Sequence, residues 1–535
     1  MCAVANFSLF ILYFAHYFVI LPPETLLSTT MRRIFTTIII MAAASIAVQA
    51  AKPRTSLIVY ETRKQTVTGF GGACCDGAMK PFGTDNACVS KLYGAKTKIG
   101  LNILRMEISP SFTGDNWGDY DWNGSLPSAT TVKNRGGIVF GTPWSPPGEY
   151  KTNGSAQGGN ADDQGNVRAT LRRDCYEKFF PWLNSFLKWM KSKGVNVDAV
   201  SLQNEPDWWV NYSGCVYEPD SLVSLVKNYA HLLDRKTYGV KLISGEPLGF
   251  TQNYTDPLMK DPACREQIDI VAGHLYGHLP LKYMKPAGVL PAKYGKELWM
   301  TEHSVTDNIG DRLPNWYENL IFAQELNECM LAGCTGYIYW YLRAHWAFAG
   351  TGETKYGTGN KKDELLPRAF VMSHFSKNVT GATRLVTNQD ENAGREKEEV
   401  AQDYQYSAYI KGDSIIVMCI NAMEKERDVK IQLPYNVKSG SLWLSTGNES
   451  DKLCQKSELE MAESTKEYLY TMPAQSLNTF IFMIDRGSTA IAEVKAQVND
   501  GPVTYFDLQG RRLDKPQGLC VEKQPDGSSK KIFVR

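Results

Sequence analysis

The chain has 535 residues, of which 43% are apolar and 21% charged, with a formal net charge of +1. That length exceeds one small core and calls for two folded units with terminal extras. The balanced charge gives no basis for nucleic acid or a membrane as partner, and the 12 cysteines fall in no zinc or redox spacing.

Met31-Arg32-Arg33 precedes an apolar run from Ile34 to Val48, and Val48-Gln49-Ala50 supplies compact residues at a cleavage position. Residues 1–50 are therefore expected to be a secretory signal with its start at Met31 and cleavage after Ala50. The upstream apolar stretch from Phe7 to Leu21 leaves a real N-terminal anchor as the alternative; at ~15 residues it is short for a membrane span. Ser56–Tyr60 and Gln65–Val67 read as short strands, so residues 51–68 are expected to lend strand structure to a side module.

From residue 69 to 378 short apolar runs alternate with helical stretches. The runs are the GFGG segment at Gly69–Gly72, Leu101–Met106, Gly137–Gly141, Asp198–Leu202, Lys241–Ser244, Ile268–Ala272, Glu297–Met300 and Gly336–Trp340. Helices are expected at Asp174–Lys193, stopped by Gly194, at Pro219–Leu233, and at Asn315–Leu331, stopped by Gly333. Eight strand–helix repeats predict an α/β fold, a (β/α)8 TIM barrel. Residues 379–486 change texture: Ser407–Ile410, Ser414–Met418, Val429–Leu433 and Asn478–Phe482 are separated by turn residues, which predicts a flanking β-sandwich. Residues 487–535 form a separate tail, in which Phe506–Arg512 and Lys531–Arg535 read as strands.

Two carboxylates stand where such a barrel does chemistry. Leu202-Gln203-Asn204-Glu205-Pro206 ends the fourth strand and Thr301-Glu302-His303 the seventh. The C-terminal strand ends form the active face of a (β/α)8 barrel, so the closed sheet brings together two groups far apart in sequence. A facing pair can hydrolyse a glycosidic bond, one member protonating the leaving oxygen and the other attacking the anomeric carbon. Glu205 is read as the acid/base, which must hold a proton near neutrality, and Glu302 as the nucleophile, which must stay ionised and needs donors around it. Asn204 is placed to hold a sugar hydroxyl beside the acid. At the end of the sixth strand, Tyr276 is a candidate donor to Glu302 and His274 a further hydrogen-bonding group. Taken singly Asn-Glu-Pro is a weak signal, and a core histidine is the bland reading of His274. The 12 Trp and 27 Tyr suit a sugar cleft, whose rings pack on the C–H face of pyranoses, although core packing accounts for most of them.

These residues carry a resemblance. The chain resembles glycoside hydrolase family 30, and within it the xylanase-type branch, through GFGG at Gly69–Gly72, Arg105 in LNILRME, PWSPP at Pro143–Pro147, LQNEPDW at Leu202–Trp208, TEHS at Thr301–Ser304, YWYLR at Tyr339–Arg343 and PAQSLNTF at Pro473–Phe480. The resemblance runs from Gly69 to Phe482. It implies a barrel with a flanking β-sandwich, the same roles for Glu205 and Glu302, and Asn204, Trp144, Tyr276, His274, Trp208, Trp340 and Arg105 as substrate-binding candidates. It implies an endo-β-1,4-xylanase acting on a polysaccharide or oligosaccharide, with no cofactor and no metal. The tail resembles sorting tails of secreted Bacteroidetes proteins. The expectation is accordingly a monomer that is secreted, periplasmic or at the cell surface.

One departure matters. Xylanases of this branch that require a glucuronic acid side group usually carry a second Arg after the YWYxR run and a Tyr two residues later, where this chain has Ala344 and Trp346. An Arg fork suits a carboxylate and Ala cannot replace it. Arg343, just before, is read as structural. Alternatives stay open: another activity of the family (β-1,6-glucanase, β-glucosidase or glucosylceramidase-like, β-fucosidase), or a non-catalytic carbohydrate-binding protein, which the presence of both glutamates disfavours.

Overall fold

The computed structural model describes residues 55–74, 87–110, 122–158, 169–277, 279–305, 313–344, 346–352, 361–392, 403–449, 451–486, 503–516, 518–523 and 529–534. The expected leader at 1–50 lies outside them. After β1 (Thr55–Thr66) the chain forms β2 (Gly69–Ala73), β3 (Ile103–Ile108), β4 (Ile138–Pro143), β5 (Ala199–Ser201), β6 (Lys241–Ile243), β7 (Ile270–His274), β8 (Glu297–Glu302) and β9 (Gly336–Tyr339). Strands β2 to β9 pair in parallel and close on themselves as a barrel. Ile103, Phe140, Ile243, Ile270, Trp299 and Ile338 fill its interior. Two glycines permit that filling. A Cβ on Gly336 would lie 2.9 Å from the Trp299 indole, and one on Gly71 would lie 1.7 Å from the Ile103 carbonyl oxygen.

The principal helices around the barrel are α1 (Trp122–Asn134), α2 (Tyr176–Ser192), α3 (Pro219–Tyr229), α4 (Trp316–Leu331) and α5 (Pro367–Asn378). Phe179, Leu183, Phe186, Leu187 and Met190 recur at three- and four-residue spacing along α2 and are buried. Asn315 and Glu318 exchange bonds as a capping box that starts α4. Helix α1 has no clear periodic signal, because Gly124 and Pro127 interrupt its pattern.

The side module holds β10 (Thr383–Thr387), β11 (Tyr404–Lys411), β12 (Ser414–Asn421), β13 (Arg427–Ser445), β14 (Gln455–Leu459), β15 (Thr465–Met472) and β16 (Ser476–Ile484). With β1 these strands make one eight-stranded sheet. Strand β1 pairs with both β10 and β13, so the sheet folds over on itself around Val59, Leu385, Val417, Ile431, Phe480 and Phe482. Two expected strands, Ser56–Tyr60 and Gln65–Val67, are one continuous β1. Likewise β13 extends well beyond the expected Val429–Leu433 and runs for 19 residues through Pro434 and Gly440. In the tail, β17 (Thr504–Phe506), β18 (Arg512–Leu513), β19 (Gly518–Lys523) and β20 (Ser529–Val534) form a small sheet. The Phe506–Arg512 segment is thus mostly a turn rather than a strand. Asp507 Oδ1 accepts from the Gln509 and Arg511 amides and Gly510 sits at φ +80°.

Barrel and module share one core. Tyr409, Ile416, Met418, Ile420 and Leu477 of the module pack in the same apolar cluster as the barrel helices. His374 of α5 bonds Thr479 at 2.7 Å and Ser445 at 3.0 Å, Gln405 donates to Glu328 of α4 at 2.7 Å, and the Trp316 indole donates to the Gln475 carbonyl at 2.6 Å. Residues 69–378 expressed alone would expose this surface and leave those buried polar groups unpaired. The expected outcome is insoluble or unfolded protein by circular dichroism; a soluble fragment with a cooperative melt would contradict it.

Candidate active site

The barrel gathers its buried charges at the C-terminal ends of its strands. Glu302 is the last residue of β8, Glu205 follows β5, and His274 ends β7. One carboxylate oxygen each of Glu205 and Glu302 and a ring nitrogen of His274 all lie within 4.8 Å of one another. Glu205 is held in place by backbone: the Asn204 amide donates to the Pro143 carbonyl at 2.9 Å, and the Glu205 amide to the Glu246 carbonyl at 2.8 Å. Its φ of +43° lies in the left-handed region, which is costly for a side chain with a Cβ. Pinning by both neighbouring strand ends sustains that conformation and turns the carboxyl inward.

The two carboxylates have different neighbours. Arg105 of β3 is fully buried and its guanidinium bonds the Glu302 carboxylate, the Asn204 side-chain oxygen at 2.7 Å and the Glu246 carboxylate at 3.1 Å. Tyr276 donates to Glu302 at 3.1 Å. Glu205 meets His274 Nδ1 at 2.9 Å. The Trp144 ring covers Arg105, 4.6 Å from guanidinium carbon to ring centroid, and Trp340 stands 5.9 Å from Trp144. Tyr341 and Trp346 continue this aromatic wall, at 4.3 Å from Trp340 to Tyr341 and 6.1 Å from Tyr341 to Trp346.

Among the sequence-stated candidates, Glu205, Glu302, Asn204, Tyr276, His274, Trp144 and Trp340 converge here. Arg105 is a correction. With no exposed surface and its donors spent on Glu302, Glu246 and Asn204, it positions these groups from beneath and does not face a substrate. His274 is equally buried, so its contact is with the carboxyls. Trp208 is 52% exposed on the loop after Glu205, with its amide bonded to the Glu205 carbonyl at 3.0 Å. Arg343 is buried in an ion pair with Asp363, away from a free surface.

Two residues escaped the sequence reading. Glu246 follows β6, as Glu205 follows β5, and the signal that would have found it is this shared position at a strand end. Thr142 donates to it at 2.7 Å. Lys151 gave no signal. It is buried with its ammonium on the carbonyls of Ala156, Gln157 and Gly214 at 2.9, 2.8 and 2.6 Å, which ties the loop after β4 to the loop that carries Trp208.

Charge follows from this packing. For Glu246, burial raises the pKa, but Arg105 and His274 outweigh it and hold the carboxyl down at about 2. For His274, burial favours the neutral ring, yet the charge of Glu302 and the bonds to Glu205 and Glu246 raise it to about 9. Burial also pushes the Glu302 carboxyl above its ordinary value, with His274 and Arg105 opposing and Glu205 adding to the rise. Desolvation is thus the largest influence on Glu302, and the cations of His274 and Arg105 act against it. Burial, reinforced by Glu302 and Glu205, holds Tyr276 well above the ordinary phenol value, so it remains a donor.

The His274 shift fixes a stability window. Its folded pKa is raised, so its contribution is fully present below the unfolded value of 6.5 and is lost as pH rises through about 9. The Tm deficit of His274→Gln relative to the unaltered chain is expected to be largest below pH 6.5 and to shrink toward pH 9. A pH-independent deficit by calorimetry would contradict a protonated His274.

Comparison with known proteins accords with this arrangement. Residues 93–267 match O-Glycosyl hydrolase family 30. The chain is 25% identical over 434 residues to the glucuronoxylanase XynC of Bacillus subtilis (strain 168), covering 78% of this chain and 89% of that one. The glycoside hydrolase family 30 subfamily 8 xylanase Xyn30A of Clostridium acetobutylicum superimposes with TM-score 0.65 at 28% identity, over 80% of this chain and 99% of that one. A GH30 endoxylanase of Clostridium papyrosolvens C71 has the same fold, with TM-score 0.64 at 23% identity over 80% and 100% of the two chains. A closed barrel with carboxylates at its strand ends, the match over residues 93–267 and the likeness to family 30 xylanases together identify the chain as an O-glycosyl hydrolase similar to those of family 30.

Proposed function

We propose that the protein is a retaining endo-β-1,4-xylanase, with Glu205 as acid/base and Glu302 as nucleophile. The observation that carries the reading is the close approach of the two carboxyls, whose nearest oxygens lie within 4.8 Å. A retaining pair stands at ~5–5.5 Å and an inverting pair at ~6.5–9.5 Å, the larger gap making room for a water. Arg105 and Tyr276 place fixed donors on Glu302, while Glu205 has His274 alone among these groups. The guanidinium favours negative charge on its own partner, which supports Glu302 as the nucleophile.

In the first step a Glu302 oxygen attacks the anomeric carbon, the glycosidic C–O bond breaks, and the leaving oxygen takes the Glu205 proton. In the second, Glu205 removes a proton from water, the water oxygen bonds the anomeric carbon, and the Glu302 ester is released. Asn204, anchored by Arg105, is placed to hold the sugar hydroxyl next to the reacting carbon. Trp144, Trp340 and the exposed Trp208 supply aromatic faces for xylose rings. Export of the enzyme is part of the proposal and is supported by the Met31–Ala50 sequence.

The substrate is expected to need no glucuronic acid branch. Ala344 is buried, Arg343 is engaged with Asp363, and Trp346 is packed against Tyr341. An Arg–carboxylate hydrogen bond contributes ~1.5–3 kcal/mol, so its absence removes roughly ten- to a hundredfold of discrimination. The test is a product profile on linear xylo-oligosaccharides, glucuronic-acid-bearing oligosaccharides of equal length, and β-1,6-glucan. Similar kcat/KM on the first two and no cleavage of the third is the expected result. A preference above about a hundredfold for the decorated oligosaccharide would sink the branch-independent reading. Cleavage of β-1,6-glucan in place of xylan would favour the second family activity.

A further inference from the structure

The barrel end opposite Glu205 and Glu302 carries a separate concentration of charge. The turns leading into β3 and β4, the end of α5 and the tip of β11 surround a hollow of about 300 Å³ with Arg135, Lys377 and Lys411 on its walls. Beside it lies a hollow of about 360 Å³ where the Lys96–Lys98 turn meets the side module, lined by Lys96, Lys98, Lys377 and Lys456. Lys377 belongs to both, so the two adjoin. Among the described residues, every charged one lining either hollow is a cation, in a chain whose 58 basic and 57 acidic residues nearly balance. This segregation is local and does not follow from composition.

The cations are held by main-chain carbonyls. Lys377 donates to Ala95 and Thr97 at 2.6 and 2.8 Å, Arg135 to Ser90 and Tyr93 at 2.6 and 2.7 Å, and Lys411 to Thr380 at 2.7 Å. Lys456 lies over the Trp443 ring at 3.7 Å. Carbonyl bonds fix these side chains without cancelling their charge. Burial, and secondarily the nearby Lys456, hold Lys377 below its ordinary pKa.

We propose that this cationic trough is a second glycan-binding site, remote from the cleft, for polysaccharide chains that bear carboxylate groups such as uronic acids. The proposal rests on the reading of the protein as a polysaccharide hydrolase. Lysine ammoniums act as point charges that accept a flexible, irregularly decorated polymer, where a bidentate Arg fork would demand one geometry. Two adjoining hollows suit a chain whose charges recur along its length, and several weak contacts on one polymer reinforce each other. The site complements the cleft, which has Ala344 where a carboxylate-binding Arg is expected. Branched segments are retained at the far end of the barrel while undecorated segments are cut.

The test uses the full chain carrying Glu302→Gln, so that the polymer stays intact, with binding read by affinity electrophoresis and calorimetry. Glucuronoxylan is compared with the same polymer after chemical reduction of its carboxyls. Binding to the native polymer is expected to be about tenfold tighter and to fade at high salt. Lys96→Gln with Lys98→Gln and Lys456→Gln, all at exposed positions, is expected to remove that difference. Equal binding of both polymers, or an unaltered preference in the triple variant, overturns the site. Stronger displacement by inorganic phosphate or by an RNA homopolymer than by polygalacturonate overturns the carboxylate assignment. The triple substitution in the otherwise unaltered chain is expected to leave kcat/KM on short linear xylo-oligosaccharides unchanged. Carboxylate-dependent binding by a chain that cleaves no xylan would support the trough and overturn the reading of the cleft.

Discussion

Glu302→Gln is expected to lower kcat on linear xylan by on the order of 10⁴-fold or more, with the fold intact. The amide matches the carboxylate in size and can still accept from Tyr276, but its oxygen is a poor nucleophile and cannot form the glycosyl ester. Arg105 keeps Glu246 and Asn204 as partners in this variant, so the buried guanidinium is not stranded. The melting transition should therefore move by far less than the activity. Initial rates on xylan and a thermal melt of the same preparation check both halves. Retention of a tenth of the activity would remove Glu302 from the chemistry.

Glu205→Ala is expected to separate substrates by their leaving groups. Hydrolysis of xylan should fall by roughly 10²–10⁴-fold, because the leaving sugar oxygen must be protonated. An aryl xylobioside with an acidic phenol needs little protonation to depart, so formation of the glycosyl-enzyme should be nearly spared. Its turnover then stalls at the second step, which lacks the base that activates water. Azide, which needs no base, should restore turnover and yield a β-glycosyl azide. An α-configured azide would mean that the two glutamates exchange roles, and equal slowing of xylan and the aryl glycoside would mean that Glu205 is not the acid.

Much of this site is legible in the sequence because barrel chemistry sits at strand ends, and strand ends can be counted. Gln203-Asn204-Glu205 and Thr301-Glu302 were found by that count, and His274-Leu275-Tyr276 by the same step. Glu246 obeys the same rule but lacks a recognisable neighbour, and its role depends on Arg105 reaching it from three strands away around the barrel. Such side-chain reach leaves no periodic trace. Arg105 was misread for a related reason: a motif shows that a cation is near the site but not whether it faces the substrate or lies beneath the carboxyls. Lys151 is less legible still, since its ammonium is held on three backbone carbonyls and backbone has no sequence signature. In the fold, apolar runs mark the strands, but the length of β13 is set by its pairing with β1, β14, β15 and β16, which no local pattern records. The electrostatics of Glu302 lie furthest from sequence, because burial acts against the donors and cations that surround it.

The central claim is that Glu302 forms a covalent glycosyl ester during cleavage of a xylan chain. The most direct measurement is mass spectrometry of the protein after incubation with a 2-deoxy-2-fluoro xylobioside carrying a good leaving group, followed by proteolysis and sequencing of the labelled peptide. The fluorine slows both formation and hydrolysis of the intermediate, and the good leaving group restores formation alone, so the ester accumulates. The account predicts one added fluoroxylobiosyl group per chain, on the peptide containing Glu302, and its slow loss when a xylo-oligosaccharide acceptor is added. A label on Glu205 or Glu246, or hydrolysis of the reagent with no label at any time, would contradict it.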